Sequence, residues 1–373
     1  MRADRFLELL TTKGPFASVC FDDSHDTENA RQEFDLRWRE IRERLVAEGA
    51  GEDVLSVLDK AVYSSAPPVG RSGRALVANA ERVWIDEALA YPPERATARY
   101  AAAPFVMDVV QLGFPRAYYG VVAVDHEGAD LTIHNARGEV VDSETVTGDQ
   151  YPIHKARSAD TDQWGDAENR TDEARKRNIA EVADRVTKRL DAATADGSKV
   201  APFFVIGEVR ARSQLLSALP ERARAVSFEL ERGSRAAGAK TVEVRTAIDE
   251  EITVRRAGVV GDAADRWNAE KGRASGLAVE GIADVTRALR EQAVDTLIVG
   301  DVGERTVVVG DEPSWVAPDA DTLSEFGASD EEVRLADEAL PFAAIAGRSV
   351  LIGADPRIEP VDGFAAILRH ALP

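Results

Sequence analysis

The feature that most limits the fold is a single apolar stripe on a long polar helix. Ile179, Val182, Ala183, Val186 and Leu190 recur at three- and four-residue spacing, so they fall on one face of an α-helix. Around them stand Arg170, Arg175, Lys176, Arg177, Arg185 and Lys188. A helix that is apolar on one side only has to lie against something, and the flanking sequence supplies it. Upstream, 119–125, 129–135 and 139–146 read as three strands, with turns at His126-Glu127-Gly128 and Arg137-Gly138. Downstream, 202–206 reads as a buried strand, 211–219 as a helix stopped by Pro220, and 225–228 as a weaker strand. Together they predict a mixed sheet with helices packed on it. Between the third strand and the helix runs a polar stretch, predicted as a loop over 156–167 ahead of a helix over 168–190.

At 373 residues the chain exceeds one ordinary core, and its pattern divides into three spans. Residues 1–115 form an α/β unit with a short helix over 4–10 and a strand over 17–21. A helix follows from Asp26 or Thr27 to about Val46, with Ala30, Phe34, Trp38, Ile41 and Leu45 inward. A second helix covers 53–62, and strands at 75–78 and 82–85 flank the turn Asn79-Ala80-Glu81. Residues 116–272 hold the sheet and helix above, then a helical stretch over 246–268. Residues 273–373 read as a compact α/β layer. It comprises a helix over 277–290 with Val279, Ile282, Val285 and Leu289 inward, strands over 296–299, 305–309 and 349–352, and helices over 340–346 and 363–368. The run 311–338 has ten acidic residues against one base, Arg334, and reads as solvent-exposed.

The formal charge of -20 argues against generic DNA or RNA binding, which depends on neutralising phosphates. The charge is uneven. Residues 273–373 hold 8 Lys/Arg against 19 Asp/Glu, a net of -11, while 116–272 hold 24 against 28, a net of -4. Any nucleic-acid contact therefore falls on local basic faces of the middle span, and the acidic end suits a protein partner or a solubilising surface. The one cysteine, Cys20, allows no internal disulfide and no thiolate cluster, which fits a reducing, cytoplasmic setting. The opening Met1-Arg2-Ala3-Asp4-Arg5 is too charged for a signal peptide. No apolar run approaches the roughly 18 residues of a membrane span.

Motifs for chemistry are sparse. His25, His126, His134, His154 and His370 lack the HExxH spacing, although His126 and His134 flank a hairpin and stand to approach each other. No GxGxxG, Walker A or G-x-S-x-G arrangement is present. Asp22-Asp23-Ser24-His25-Asp26 reads either as a Mg²⁺ cluster or as helix capping. Asp125 ends a strand as a nuclease carboxylate would, yet one carboxylate makes no two-metal site. Trp164 beside Gln163 offers a flat ring and an amide for stacking on a base, or a side chain folded back on its own domain. His154, Lys155 and Arg157 suit phosphate contacts.

The order of these parts resembles the archaeal and eukaryotic peptide-release-factor superfamily, and more narrowly its bacterial branch, which includes ribosome hibernation factors. True release factors carry Gly-Gly-Gln in a loop, followed by a basic helix with Lys-Arg-His-Asn-Tyr-Val. Here the helix reads Arg175-Lys176-Arg177-Asn178-Ile179-Ala180, and counting back from Asn178 without gaps places Gln163 at the family glutamine. Thr161 and Asp162 then stand in place of the two glycines. His154-Lys155 resembles the Lys/His-rich lead-in, and 281–299 resembles the ALxxGAVxTLL pattern of the C domain.

The resemblance spans essentially the whole chain. It implies an α/β (α+β) protein of three domains: an α/β N domain, an RNase H-like middle domain and an L7Ae/L30e-like C domain. It also implies a cytoplasmic binder of the vacant A site of the 70S ribosome, touching rRNA of both subunits. Elongation factor Tu is a further implied partner, and neither DNA nor a membrane is one. In that placement Arg31, Arg37 and Arg42 face the decoding centre, and Thr161, Asp162, Gln163 and Trp164 approach the peptidyl-transferase centre. His154, Lys155, Arg157, Arg175, Lys176 and Arg177 would hold phosphates. Glycine is needed where side chains collide, so Thr161 and the anionic Asp162 obstruct the ester-cleaving placement. The expectation is a non-enzymatic hibernation or protection factor with no metal and no cofactor. The alternatives are a rescue factor hydrolysing peptidyl-tRNA and a metal-dependent RNase built on Asp125.

Overall fold

The computed structural model describes residues 1, 3–25, 28–64, 68, 71–89, 91–113, 118–135, 138–147, 164–195, 202–235, 242–328 and 331–373, with 164–172 and 193–195 described by backbone alone. The chain opens with α1 (Leu7–Leu10), β1 (Phe16–Asp22), α2 (Ala30–Ala47) and α3 (Glu52–Ser64). Ala30, Phe34, Trp38, Ile41 and Leu45 are the buried residues of α2, one side of the helix at the expected spacing. Asp26 and Thr27, the anticipated start, lie outside the described residues. Next come β2 (Gly73–Ala78), β3 (Val83–Leu89), β4 (Thr97–Ala101) and α4 (Met107–Leu112). They complete an antiparallel sheet of order β3-β2-β1-β4. The sequence reading did not anticipate β4 and α4, which sit among prolines.

The middle of the chain holds β5 (Tyr118–Val124), β6 (Gly128–Asn135), β7 (Val140–Thr147), α5 (Trp164–Ala195), β8 (Phe203–Gly207), α6 (Val209–Ala218), α7 (Glu221–Arg224) and β9 (Ser227–Glu229). The sheet order is β7-β6-β5-β8-β9. The first three strands pair antiparallel, and β5, β8 and β9 run parallel. The α5 stripe is where the periodicity put it. Ile179, Val182, Ala183, Val186 and Leu190 share one core with Val122, Val124, Leu131, Phe203, Val205 and Leu215. Each such side chain taken from water stabilises the fold by roughly 1.5–3 kcal/mol.

The remainder runs through α8 (Val242–Arg273), β10 (Ala278–Glu280), α9 (Ile282–Arg290), β11 (Val294–Val299), β12 (Thr306–Val309), β13 (Val316–Ala317), α10 (Ala320–Glu325), β14 (Glu332–Leu335), α11 (Ala336–Ala346), β15 (Val350–Gly353) and β16 (Phe364–Leu368). These form a four-stranded sheet of order β10-β16-β11-β15 and a smaller sheet of order β13-β12-β14. Compact packing divides the chain into Met1–Pro115 with Ile252–Pro373, and Arg116–Glu251. One boundary follows Pro115 and the other falls within α8. In the first unit Phe6, Leu9, Phe16 and Cys20 share a core with Leu289, Leu297, Leu340 and Phe364.

Four readings need correction. The helix placed over 168–190 begins at Trp164 and ends at Ala195, so Trp164 opens the helix and does not stand at the tip of a loop. No proline interrupts this start, and Asp166 and Glu168 are acidic, as the N-terminal end of a helix favours. The helix placed over 277–290 is split, because Gly281 has φ +82° and ψ 159°, a region closed to residues with a Cβ. Ala278–Glu280 is therefore a strand paired with β16. The helix placed over 363–368 is β16, buried at all five positions between β10 and β11. A short unbroken apolar run has no period to separate strand from helix, and burial on both faces requires such a run. The acidic run 311–338 is not uniformly exposed either, since Leu323, Ala336 and Glu338 are buried within it.

Candidate functional site

Helix α5 has 32 residues, about 48 Å at 1.5 Å per residue. Ala174, 4% exposed, is a buried anchor among its described side chains. Just beyond the anchor, Lys176 and Arg177 are exposed, and among the described residues neither is held in an ion pair. Arg175, beside them, is half-buried.

The second half of the helix is different. Arg185 Nε lies 3.2 Å from Glu144 Oε1, Arg189 Nη2 lies 2.9 Å from Glu144 Oε2, and Lys188 Nζ lies 2.7 Å from Asp184 Oδ2. Arg189 also bonds Asp142. Among the described residues, the α5 cations without a carboxylate contact, Lys176 and Arg177, therefore lie in its first half. His154, Lys155, Arg157, Thr161, Asp162 and Gln163 lie outside the described residues. For Trp164 only its place in the helix is described.

That end of α5 is tied to the carboxyl ends of the parallel strands. Asn178, 6% exposed, sits within the apolar stripe and donates through Nδ2 to the His126 carbonyl oxygen at 3.3 Å. His126 occupies the turn after β5, and its Nδ1 lies 3.2 Å from Glu208 Oε2, on the residue just before α6. Asp125 fixes the same turn. Its Oδ1 accepts from the backbone N–H groups of Glu127 (2.8 Å) and Gly128 (3.0 Å), and from Arg235 Nη1 (2.9 Å). This carboxylate is already occupied by turn and ion-pair contacts. Among the described residues no group of three or more His, Cys, Asp or Glu is arranged to hold a metal ion.

His134 does not approach His126. It lies at the other end of the hairpin, stacked on Tyr119 with ring centroids 4.8 Å apart. Tyr119 in turn accepts from Arg245 Nη1 at 3.4 Å, and Arg245 pairs with Asp249 at 3.1 Å. Burial raises the Asp249 carboxyl to about 6 against the opposing pull of Arg245. The Asp22-Asp23-Ser24-His25 run is also internally satisfied. Asp22 Oδ1 accepts from Ser24 N at 2.9 Å, and His25 Nδ1 lies 2.8 Å from the Asp23 carbonyl.

The three arginines proposed for the decoding centre differ among themselves. Arg31 is 79% exposed, 4.0 Å from Asp35. Arg37 donates to the Asp22 carbonyl at 2.6 Å and lies 3.5 Å from Glu33. Arg42 bridges to Asp59 at 3.2 Å and Glu52 at 2.6 Å, tying α2 to α3. Sequence reasoning missed the Asn178 bond and the Asp125–Arg235 pair. The available signal was an amide inside an apolar stripe, since a buried polar group needs a partner.

Residues 119–273, which contain this sheet and α5, match the family model described as Bacterial archaeo-eukaryotic release factor family 2. Over 371 residues the chain is 42% identical to "Uncharacterized protein Rv2629" of Mycobacterium tuberculosis (strain ATCC 25618 / H37Rv), covering 100% of this chain and 97% of that one. The chain belongs to the archaeo-eukaryotic release factor superfamily. Among solved structures, the superfamily's archaeal translation termination factor aRF1 is 14% identical, covering 98% of this chain and 97% of that one, with a TM-score of 0.26. Ribosome-bound archaeal Pelota is 14% identical, covering 100% and 95%, with a TM-score of 0.41. Among the described residues no helix is long and apolar enough to cross a membrane.

Proposed function

We propose that the protein is a ribosome-surveillance factor of release-factor type, entering a vacant A site of the 70S ribosome with the unit that carries α5. The observation that carries this is the coincidence of the family match over 119–273 with Lys176 and Arg177 on α5, which are exposed and in no ion pair among the described residues. Cations held by no carboxylate among the described residues are available to rRNA phosphates, and their local display offsets a net charge of -20. The strand order of this sheet supports an RNase H-like assignment for the unit. An L7Ae/L30e-like C-terminal layer belongs to the same reading. The protein acts in the cytoplasm.

Two chemistries are open to such a factor. The first is rescue: hydrolysis of peptidyl-tRNA on stalled ribosomes, favoured by membership in a release-factor superfamily. The second is non-catalytic protection of idle ribosomes, with elongation factor Tu as a partner, as the narrower resemblance to the bacterial branch with its hibernation factors implies. Thr161 and Asp162, in place of the glycine pair, favour this second reading, because side chains and a carboxylate obstruct close approach to the ester. In either case Arg31, the most exposed of the three, would face the decoding centre, with Arg37 and Arg42 beside it on α2 held by carboxylates of their own unit.

The test is sedimentation with empty 70S ribosomes and with ribosomes whose A site holds tRNA, each with and without elongation factor Tu. Binding to empty particles that A-site tRNA blocks supports the proposal; equal binding to both, or none, ends it. A peptide-release assay then separates the chemistries. Release that disappears in Gln163→Ala favours rescue. No release, with release appearing in the Thr161→Gly/Asp162→Gly double variant, favours protection.

A further inference from the structure

We infer that Asn178 is a positioning residue: through its bond to the His126 carbonyl it sets the rotation of α5 about its own axis, and so the direction in which Lys176 and Arg177 point. The apolar stripe cannot do this alone. Contacts of Ile179, Val182, Val186 and Leu190 with the sheet are non-directional, and the ion pairs of Arg185 and Arg189 with Glu144 and Asp142 hold the half of the helix beyond these cations. A hydrogen bond has a preferred line, and this one is shielded, with Asn178 only 6% exposed. Its acceptor is held still in turn. The Asp125–Gly128 turn is gripped by Asp125 Oδ1 on two backbone N–H groups and on Arg235, and by the His126 ring against Glu208 ahead of α6.

The acceptor therefore belongs to the rigid carboxyl end of β5, and the donor lies one residue from Arg177 and two from Lys176. One residue of helix is about 100° of rotation, so a roll of a fraction of that redirects both cations away from a fixed phosphate array. Helix propensity does not explain an Asn here, because asparagine is a poor interior helix residue and its amide costs free energy to bury.

The test uses spin labels in the full-length chain at Ser143→Cys on β7 and Glu181→Cys on α5, both exposed positions; the natural Cys20 is buried and stays unlabelled. In the parent the inter-label distance distribution is narrow. Asn178→Leu keeps the branched four-atom side chain and removes the donor, so it should melt cooperatively and yet give a shifted or broadened distribution. Asn178→Ala serves as the second variant and should behave the same way. A distribution unchanged in both overturns the inference.

The consequence for binding rests on the proposed ribosome reading. Asn178→Leu should weaken pelleting with empty 70S particles about three- to tenfold, although Lys176 and Arg177 are intact. Broadened labels with undiminished pelleting overturn the assigned role. Failure of the parent itself to pellet instead removes the ribosome reading, while the label distances still decide whether Asn178 sets the helix.

Discussion

Two sets of cations, one in each compact unit, are used in opposite ways. In the unit built from the chain ends, Arg99 Nη1 and Nη2 bind Asp337 at 2.9 and 2.7 Å, and Nη1 also reaches Glu338 Oε1 at 3.1 Å, tying β4 to α11. Burial acts to lower the guanidinium pKa, but these bonds hold it above its ordinary value. Arg74, 2% exposed, forks onto Asp86 and donates to the carbonyls of Ala61 and Val62 near the end of α3. On α5, by contrast, Lys176 and Arg177 face solvent with no described carboxylate on them. A residue type alone says nothing of purpose. An arginine whose donors are filled within the chain serves the fold, and a cation left unfilled beside an anchored amide is available to a partner.

The contrast breaks first at Arg99. Arg99→Ala leaves the buried Glu338 without its counter-charge and should lower the stability of that unit by about 3 kcal/mol, the low end for such a pair because Arg99 keeps some exposure. Urea unfolding checks it, and a loss under about 1 kcal/mol would show the bridge to be decorative.

A comparable effect sits at Glu87, whose carboxyl burial raises to about 7 despite Arg5 beside it, and whose Oε2 has no hydrogen-bond partner among the described residues. The folded pKa exceeds the ordinary 4.5, so the folded state favours the protonated form. Its contribution is full below pH 4.5 and is lost as pH rises through 7, about 3 kcal/mol across that window. Glu87→Gln should flatten the dependence of unfolding free energy on pH over this range. A parallel slope in wild type and variant would assign the dependence to another group.

Smaller again is the loss for Arg42→Ala, which removes a half-exposed bridge between α2 and α3 and should cost about 0.5–1 kcal/mol by urea unfolding. The smallest stability change belongs to the pair that matters most for the proposed function. Lys176→Ala with Arg177→Ala should leave stability within about 0.5 kcal/mol. It should also reduce the slope of log affinity for ribosomes against log salt by about 1 per residue. A stability loss as large as that of Arg99→Ala would place these two among the fold-holding cations and erase the comparison.

Periodicity was sufficient for α2 and for the stripe of α5, because a helix packed on one side writes its burial at 3.6-residue intervals. The valine-rich meander of β5 to β7 was legible from its turns. β16 was not, since Phe364-Ala365-Ala366-Ile367-Leu368 is apolar throughout and only the two neighbouring strands make it extended. The start of α5 at Trp164 was hidden by a polar composition common to loops and to exposed helical turns.

For the site, the sequence by itself determined the supply: a basic tripeptide at Arg175-Lys176-Arg177, an amide at Asn178, and Gln163 behind a non-glycine pair. It determined these because residue type and helical spacing are local properties. Only the tertiary structure decided which cations are free. Arg42 and Arg177 look alike in a mixed-charge helix, and the difference is that α3 brings Glu52 and Asp59 to the first while nothing described comes to the second. It likewise decided that Asn178 meets the His126 carbonyl, a contact across 52 residues that depends on the sheet closing beneath the helix. Ion pairing and directional bonding depend on distance in space, and distance in space is set by packing between segments that no local pattern records.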